Sequence, residues 1–141
     1  MIKLSIIIPA YNEEKTIIEL LQKVKEVNIK GVEFEIIVID DCSKDNTLSL
    51  LLKNQNLYTH LIKLEKNSGK GAAVKMGLLK ASGQYILFQD ADLEYDPNDY
   101  VKMVEPVQKF EADVVIGSRL AAPQLTRVYY FWHKLGNSFL T

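Results

Sequence analysis

The sequence predicts an α/β fold, a mainly parallel sheet with helices on both faces. Short runs rich in Ile and Val alternate along the chain with longer segments of helical periodicity. The runs are almost continuously apolar, as in strands covered on both sides. Finally, the polar clusters follow the runs, at the strand ends where open parallel sheets bind their ligands.

Lys3 to Pro9 (KLSIIIP) is the first strand, and Pro9 stops it. Asn12 stands where an N-cap belongs, with Glu13 and Glu14 at the positive end of the helix that follows. Ile17, Leu20, Leu21, Val24 and Val27 share one face of that helix, and Gly31 lies just past it. Phe34 to Ile39 (FEIIVI) is the second strand and runs into Asp40 and Asp41. Ser43 or Asp45 suits the cap of a helix carrying Leu48, Leu51 and Leu52. Leu61 to Leu64 is a weaker third strand.

Ala72 to Ala81 reads as a helix with Val74, Leu78 and Leu79 inward, closed by Ser82-Gly83. Tyr85 to Phe88 is the fourth strand. Pro97 fits the first helical position before Asp99 to Phe110, and Pro106 is expected to kink or split that helix. Val114 to Ile116 is a fifth strand, leading to Ser118 and Arg119. Such an order implies right-handed crossovers.

At 141 residues, with 48% apolar and 25% charged side chains, the chain fits one globular domain, taken as 1–141. A formal charge of −1 gives no electrostatic case for nucleic acid. Cys42 is the single cysteine and has no internal partner, which suits a reducing compartment. Neither a signal peptide nor a membrane span is expected.

Asp90, Asp92 and Glu94 occupy every second position after the fourth strand. On an extended backbone they share a face, so their oxygens can converge on a hard cation, a divalent metal carrying phosphates. A solvated acidic turn gives the same spacing. The loop 67-NSGKGAAVKMG-77 fails the Walker spacing because Gly71, not Ser or Thr, follows Lys70. The dinucleotide fingerprint is absent after the first strand. Gly69 and Gly71 fit a tight turn, or a loop bringing backbone N–H groups and Lys70 to phosphate. Neither His60 nor His133 has ligand spacing, and Cys42 reads as a small buried filler.

Taken in order, IIIPAYNEE, VIDDCSKDNT, NSGKGAAVKMG, FQDADLEYDP and VIGSR resemble family 2 glycosyltransferases of the GT-A, Rossmann-like fold. Within that family the chain looks most like the polyprenyl- and dolichyl-phosphate sugar synthases. The resemblance implies a nucleotide pocket lined by Pro9, Ala10, Tyr11 and Glu13, with Asp40 or Asp41 accepting hydrogen bonds from base or ribose and Lys70 flanking it. It makes Asp90-Ala91-Asp92 the DxD element holding Mn²⁺ or Mg²⁺ on the diphosphate, Glu94 a candidate third ligand, and Arg119 a phosphate contact. From the residues alone, Tyr11 is also readable as packing, Asp40 or Asp41 as a cap, and Arg119 as a surface ion pair.

The implied activity is metal-dependent, inverting transfer from a UDP- or GDP-linked sugar to polyprenyl phosphate, in the cytoplasm or at the cytoplasmic face of the membrane. Transfer to a sugar hydroxyl in polysaccharide assembly is the alternative, and a non-catalytic nucleotide-binding fragment is a second. On this reading 1–119 is the donor-binding core and 120–141 begins the acceptor side. Family members continue further, so the chain is expected to be a fragment that binds donor better than it turns over. Val128, Phe131, Trp132, Leu135 and Phe139 form a stripe that either packs on the domain or meets a lipid acceptor, a membrane surface or a second subunit.

Overall fold

A computed structural model describes residues 1–117 of the chain. The expected tail stripe, Ser118 and Arg119 lie outside the described residues. The chain divides into two compact units, 1–101 and 102–141.

The first unit is a four-stranded sheet of order β3-β2-β1-β4, with every pairing parallel. Its strands are β1 (Ile2–Ala10), β2 (Val32–Asp40), β3 (His60–Lys63) and β4 (Tyr85–Phe88). Helices α1 (Ile17–Glu26), α2 (Thr47–Lys53) and α3 (Lys70–Lys80) make the crossovers, and α4 (Tyr100–Phe110) follows a 3₁₀ turn, Pro97–Asp99. Alternate residues of β1 and β2 point to opposite faces, and Ile6, Ile8 and Val38 are as completely buried as Ile7, Ile37 and Ile39. Both central strands are therefore covered on both sides, as their continuous apolar runs require. Among the described residues β4 is an edge, and its Ile86 and Phe88 are exposed there.

Helix α1 turns Ile17, Leu20, Leu21 and Val24 inward as expected. Its start differs. The first turn hangs from the Glu13 carbonyl, which accepts from Thr16 and Ile17, and Thr16 rather than Asn12 precedes the helix. Asn12 is unavailable as a cap because its Oδ1 accepts from the Lys44 N–H.

Helix α3 buries Ala73 and Gly77, not Val74, Leu78 and Leu79; Leu79 is 73% exposed. The reason is close approach. A Cβ at Gly77 would sit 2.6 Å from Ile7 Cγ2 and 2.9 Å from Ile39 Cδ1, so small residues, not large ones, face the sheet. Gly83 is likewise fixed by space, since a Cβ there would lie 2.7 Å from the Ser5 nitrogen. Helix α4 continues through Pro106 and is not split. No strand forms at 114–116, where Ile116 is 86% exposed; an apolar triplet holds strand geometry only in a ladder.

At the strand starts lies a polar knot that the sequence reading passed over. Ser5 and Glu35 are register partners on β1 and β2, and both are buried. Glu35 accepts from the Ser5 hydroxyl, from the Ser82 backbone N–H at 2.8 Å and from the Ser82 hydroxyl at 2.6 Å. Lys3 Nζ and His60 Nε2 stand 3.4 and 3.7 Å from the same carboxylate. Burial pushes the Glu35 carboxyl up, but the hydrogen bonds from Ser5, Ser82 and Lys3 more than reverse this and hold it at about 2.

Candidate functional site

The loops after β1 and β2 are laced together before any ligand is considered. Asn12 N–H donates to Ser43 Oγ at 3.0 Å, Glu13 N–H to Thr47 Oγ1 at 2.8 Å and Glu14 N–H to Asp45 Oδ2 at 3.1 Å. In return Glu14 Oε2 accepts from Asn46 N–H at 3.0 Å. Asn12 and Cys42 both take left-handed backbone angles, φ 56° and 59°, and the lacing around Asn12 offsets part of that strain. Asp45 is held below the usual carboxylate range: burial opposes this, and bonds from Thr47 and Glu14 outweigh it. Asn12 and Ser43, read as helix caps, thus work as cross-ties. Asp45 does both, its Oδ1 also accepting from the Thr47 N–H at 2.9 Å where the helix Thr47–Lys53 begins.

Asp41 ties in the third loop. Its Oδ1 accepts from Ser68 N–H and its Oδ2 from Gly69 N–H, both at 2.8 Å. Gly69 has φ 83°, so the chain turns there and α3 starts at Lys70. Lys70 Nζ pairs with Asp90 Oδ1. Asp40 behaves differently from its neighbour. It is fully buried, its Oδ2 accepts from Ser43 N–H at 3.3 Å, and its Oδ1 has no hydrogen-bond partner among the described residues.

These loops surround a cleft of about 490 Å³, the size of a small-molecule site. Pro9, Ala10, Tyr11, Glu13, Asp41, Lys70, Asp90, Ala91 and Asp92 all line it; Asn67, Gly69 and Ala73 complete it. Of the residues expected at the nucleotide pocket, only Asp40 is not among them. A second hollow of about 420 Å³ shares Pro9, Lys70 and Asp90 and adds Val74, Phe88 and Tyr95.

The extended face expected for Asp90, Asp92 and Glu94 is not formed. The chain turns at Ala91 and Asp92, Leu93 adopts φ 64°, and Asp92 Oδ1 accepts from Glu94 N–H at 3.0 Å. Asp90 and Asp92 stay on the cleft, and Glu94 does not line it. Among the described residues no group of three carboxylate, imidazole or thiol side chains could hold an ion unaided. Two carboxylates still suit Mg²⁺ or Mn²⁺, because such ions take one or two protein carboxylates and complete their shell with phosphate and water. The charge balance agrees. Among the described residues lining the cleft, Glu13, Asp41, Asp90 and Asp92 are anionic against Lys70 alone, so a bound diphosphate needs further positive charge.

Behind this turn lies a residue that sequence reasoning missed. Gln89 is 1% exposed; its Nε2 donates to the carbonyls of Asp90 at 2.9 Å and Tyr95 at 3.3 Å. Its Oε1 accepts from Tyr100 Oη at 2.8 Å. Burial pushes the Tyr100 phenol well above its ordinary value, so it remains a donor. An uncharged polar side chain directly between the apolar run Tyr85–Phe88 and Asp90 was the available signal.

Comparison with known proteins agrees with this geometry. Residues 5–139 match the family model described as glycosyl transferase family 2. The dolichol-phosphate mannosyltransferase of Pyrococcus furiosus is 34% identical over 134 residues, 94% of this chain and 38% of that protein. The poly(ribitol-phosphate) beta-N-acetylglucosaminyltransferase TarS of Staphylococcus aureus is 43% identical over 94 residues, 65% of this chain and 16% of TarS. The chain therefore spans well under half the length of these two relatives. The crystal structure of S. aureus TarS 1-349 with UDP superposes with a TM-score of 0.68 at 36% identity, covering 79% of this chain and 33% of that one. A mannosyltransferase from Pyrobaculum calidifontis, in complex with GDP-Man and Mn²⁺, gives 0.65 at 26% identity, covering 74% and 32%. The parallel sheet with its flanking helices is that of the GT-A neighbours. On motif, fold and sequence alike, the chain belongs to glycosyl transferase family 2.

Proposed function

We propose that this chain is the donor-binding part of an inverting glycosyltransferase that takes a UDP- or GDP-linked sugar and passes the sugar to polyprenyl phosphate. One observation carries the reading: Asp90, Asp92 and Lys70 meet on a single cleft at the carboxyl ends of parallel strands. The neighbours solved with UDP and with GDP-Man and Mn²⁺ support it.

Asp41 faces the cleft, and each of its oxygens keeps a lone pair after holding Ser68 and Gly69, so it accepts from base or ribose. Asp40 does not line the cleft; its side chain accepts from Ser43 N–H and holds the loop after β2. Lys70 brings its ammonium to the diphosphate, and the turn that Asp41 holds sets where α3 begins. Asp90 and Asp92 would hold Mn²⁺ or Mg²⁺. When bound, that cation offsets the charge growing on the departing nucleoside diphosphate. Arg119 remains the proposed further phosphate contact.

An acceptor phosphate is already ionised near neutral pH and attacks the sugar carbon without a general base. The hollow beside Val74 and Phe88 opens on the same Lys70 and Asp90 and gives the acceptor its approach. Contact is then made at a membrane surface. The likeness to TarS favours a second reading, transfer to a hydroxyl on a polymer, which requires a general base; a carboxylate that activates the acceptor hydroxyl would support it.

Calorimetry with UDP- and GDP-sugars tests the proposal, with Mn²⁺ and after chelation. Donor affinity is expected to fall at least about tenfold on chelation or in Asp92→Ala. Unchanged affinity in both would remove the assigned cation role. Donor binding without sugar transfer to polyprenyl phosphate would leave a nucleotide-binding fragment.

A further inference from the structure

Gln89 is the first residue after β4, and its own N–H continues the ladder by donating to the Ile7 carbonyl at 3.0 Å. In that position Leu or Met would fill the space without a desolvation cost. A buried amide is costly unless its hydrogen-bonding groups are satisfied, so its presence points to what it holds. The two carbonyls it binds belong to Asp90 and Tyr95, at either end of the turn that carries Asp92. That turn contains Leu93 in the left-handed region, which bulky side chains disfavour. Tyr100 fixes the sense of the amide: its hydroxyl donates to Oε1, leaving Nε2 for the carbonyls. Phe34 in turn stacks edge-on against the Tyr100 ring, centroids 6.1 Å apart at 78°.

Resting on the reading of the cleft as a cation–diphosphate site, we propose that Gln89, oriented by Tyr100, is a positioning residue that sets the separation of Asp90 and Asp92. Gln89 does not line the cleft itself. It acts through the backbone of the turn, as groups behind a metal ligand commonly do.

The test uses the full chain and UDP and GDP as probes, each titrated with MnCl₂ and again in EDTA. The quantity read is the ratio of the two affinities. Gln89→Met keeps the volume and removes every side-chain hydrogen bond; it is expected to cut that ratio about tenfold while affinity in EDTA stays within about twofold. Tyr100→Phe removes one hydroxyl and is expected to cut the ratio by about threefold to fivefold. It carries the test alone if Gln89→Met does not fold. The double variant should match Gln89→Met, because both act through one amide. A purely structural role would lower affinity equally in both conditions, and that result overturns the inference. So does a native ratio that neither variant changes. A native chain with no metal-dependent binding of either nucleotide overturns the reading of the site itself.

Discussion

The two ends of this sheet treat carboxylates in opposite ways. At the strand starts one acid, Glu35, is buried and met by Ser5, Ser82, Lys3 and His60. At the strand ends Glu13, Asp41, Asp90 and Asp92 open on a cleft with Lys70 for a cation. The first arrangement uses its acceptors internally and fastens the α3–β4 turn to β1 and β2. The second leaves acceptors and negative charge unspent, and that is what a ligand can use. Burial with full satisfaction identifies a strut; exposure on a cleft with charge left over identifies a site.

Glu35→Ala should separate the two most sharply. It strips the partner from the buried Ser5 hydroxyl and from Ser82 and Lys3, and is expected to cost about 3 kcal/mol of folding stability, read from denaturant unfolding. Asp92→Ala, by contrast, should change stability by less than about 1 kcal/mol while abolishing metal-dependent donor binding. If the first variant loses donor binding at unchanged stability, the contrast between the two ends is wrong.

Acid gives a comparable effect with a definite sign. The folded Glu35 carboxyl titrates at about 2 against an ordinary 4.5, so its stabilisation is complete above 4.5 and is lost as pH falls toward 2. The depression corresponds to roughly 3 kcal/mol, with Lys3 and His60 the charged or titratable groups facing it. Unfolding midpoints measured down the acid limb should fall in the native chain and stay flatter in Glu35→Gln. Parallel curves would assign the acid sensitivity elsewhere.

Both ends were legible in the sequence to different degrees. The strand–helix order and the cleft residues could be read because apolar runs and polar clusters are local signals. The Glu35 knot was passed over because a lone acid in FEIIVI looks like a solvated face until the register sets it against Ser5. The inward face of α3 was misjudged because Leu78 and Leu79 outweigh Ala73 and Gly77 in hydrophobicity, whereas the packing distance to Ile7 and Ile39 selects for smallness. Spacing alone also gave Glu94 the same face as Asp92, since a left-handed Leu93 leaves no mark in composition.

Lys70 offers the finest probe of the cleft. Its ammonium pairs with Asp90, at 65% exposure of the lysine side chain, so the pair contributes little to folding. Its influence on ligands should be opposite for the two kinds of charge. In Lys70→Met, Asp90 is released and one positive charge leaves, so Mn²⁺ alone should bind about threefold tighter. UDP or GDP in EDTA should bind about threefold weaker, having lost a phosphate partner. Free Mn²⁺ measured by electron paramagnetic resonance, beside nucleotide titration, reads both signs on one preparation. Weaker Mn²⁺ binding would mean that Lys70 orders Asp90 for the cation and does not compete with it; the ion pair would then belong with the struts of the opposite edge.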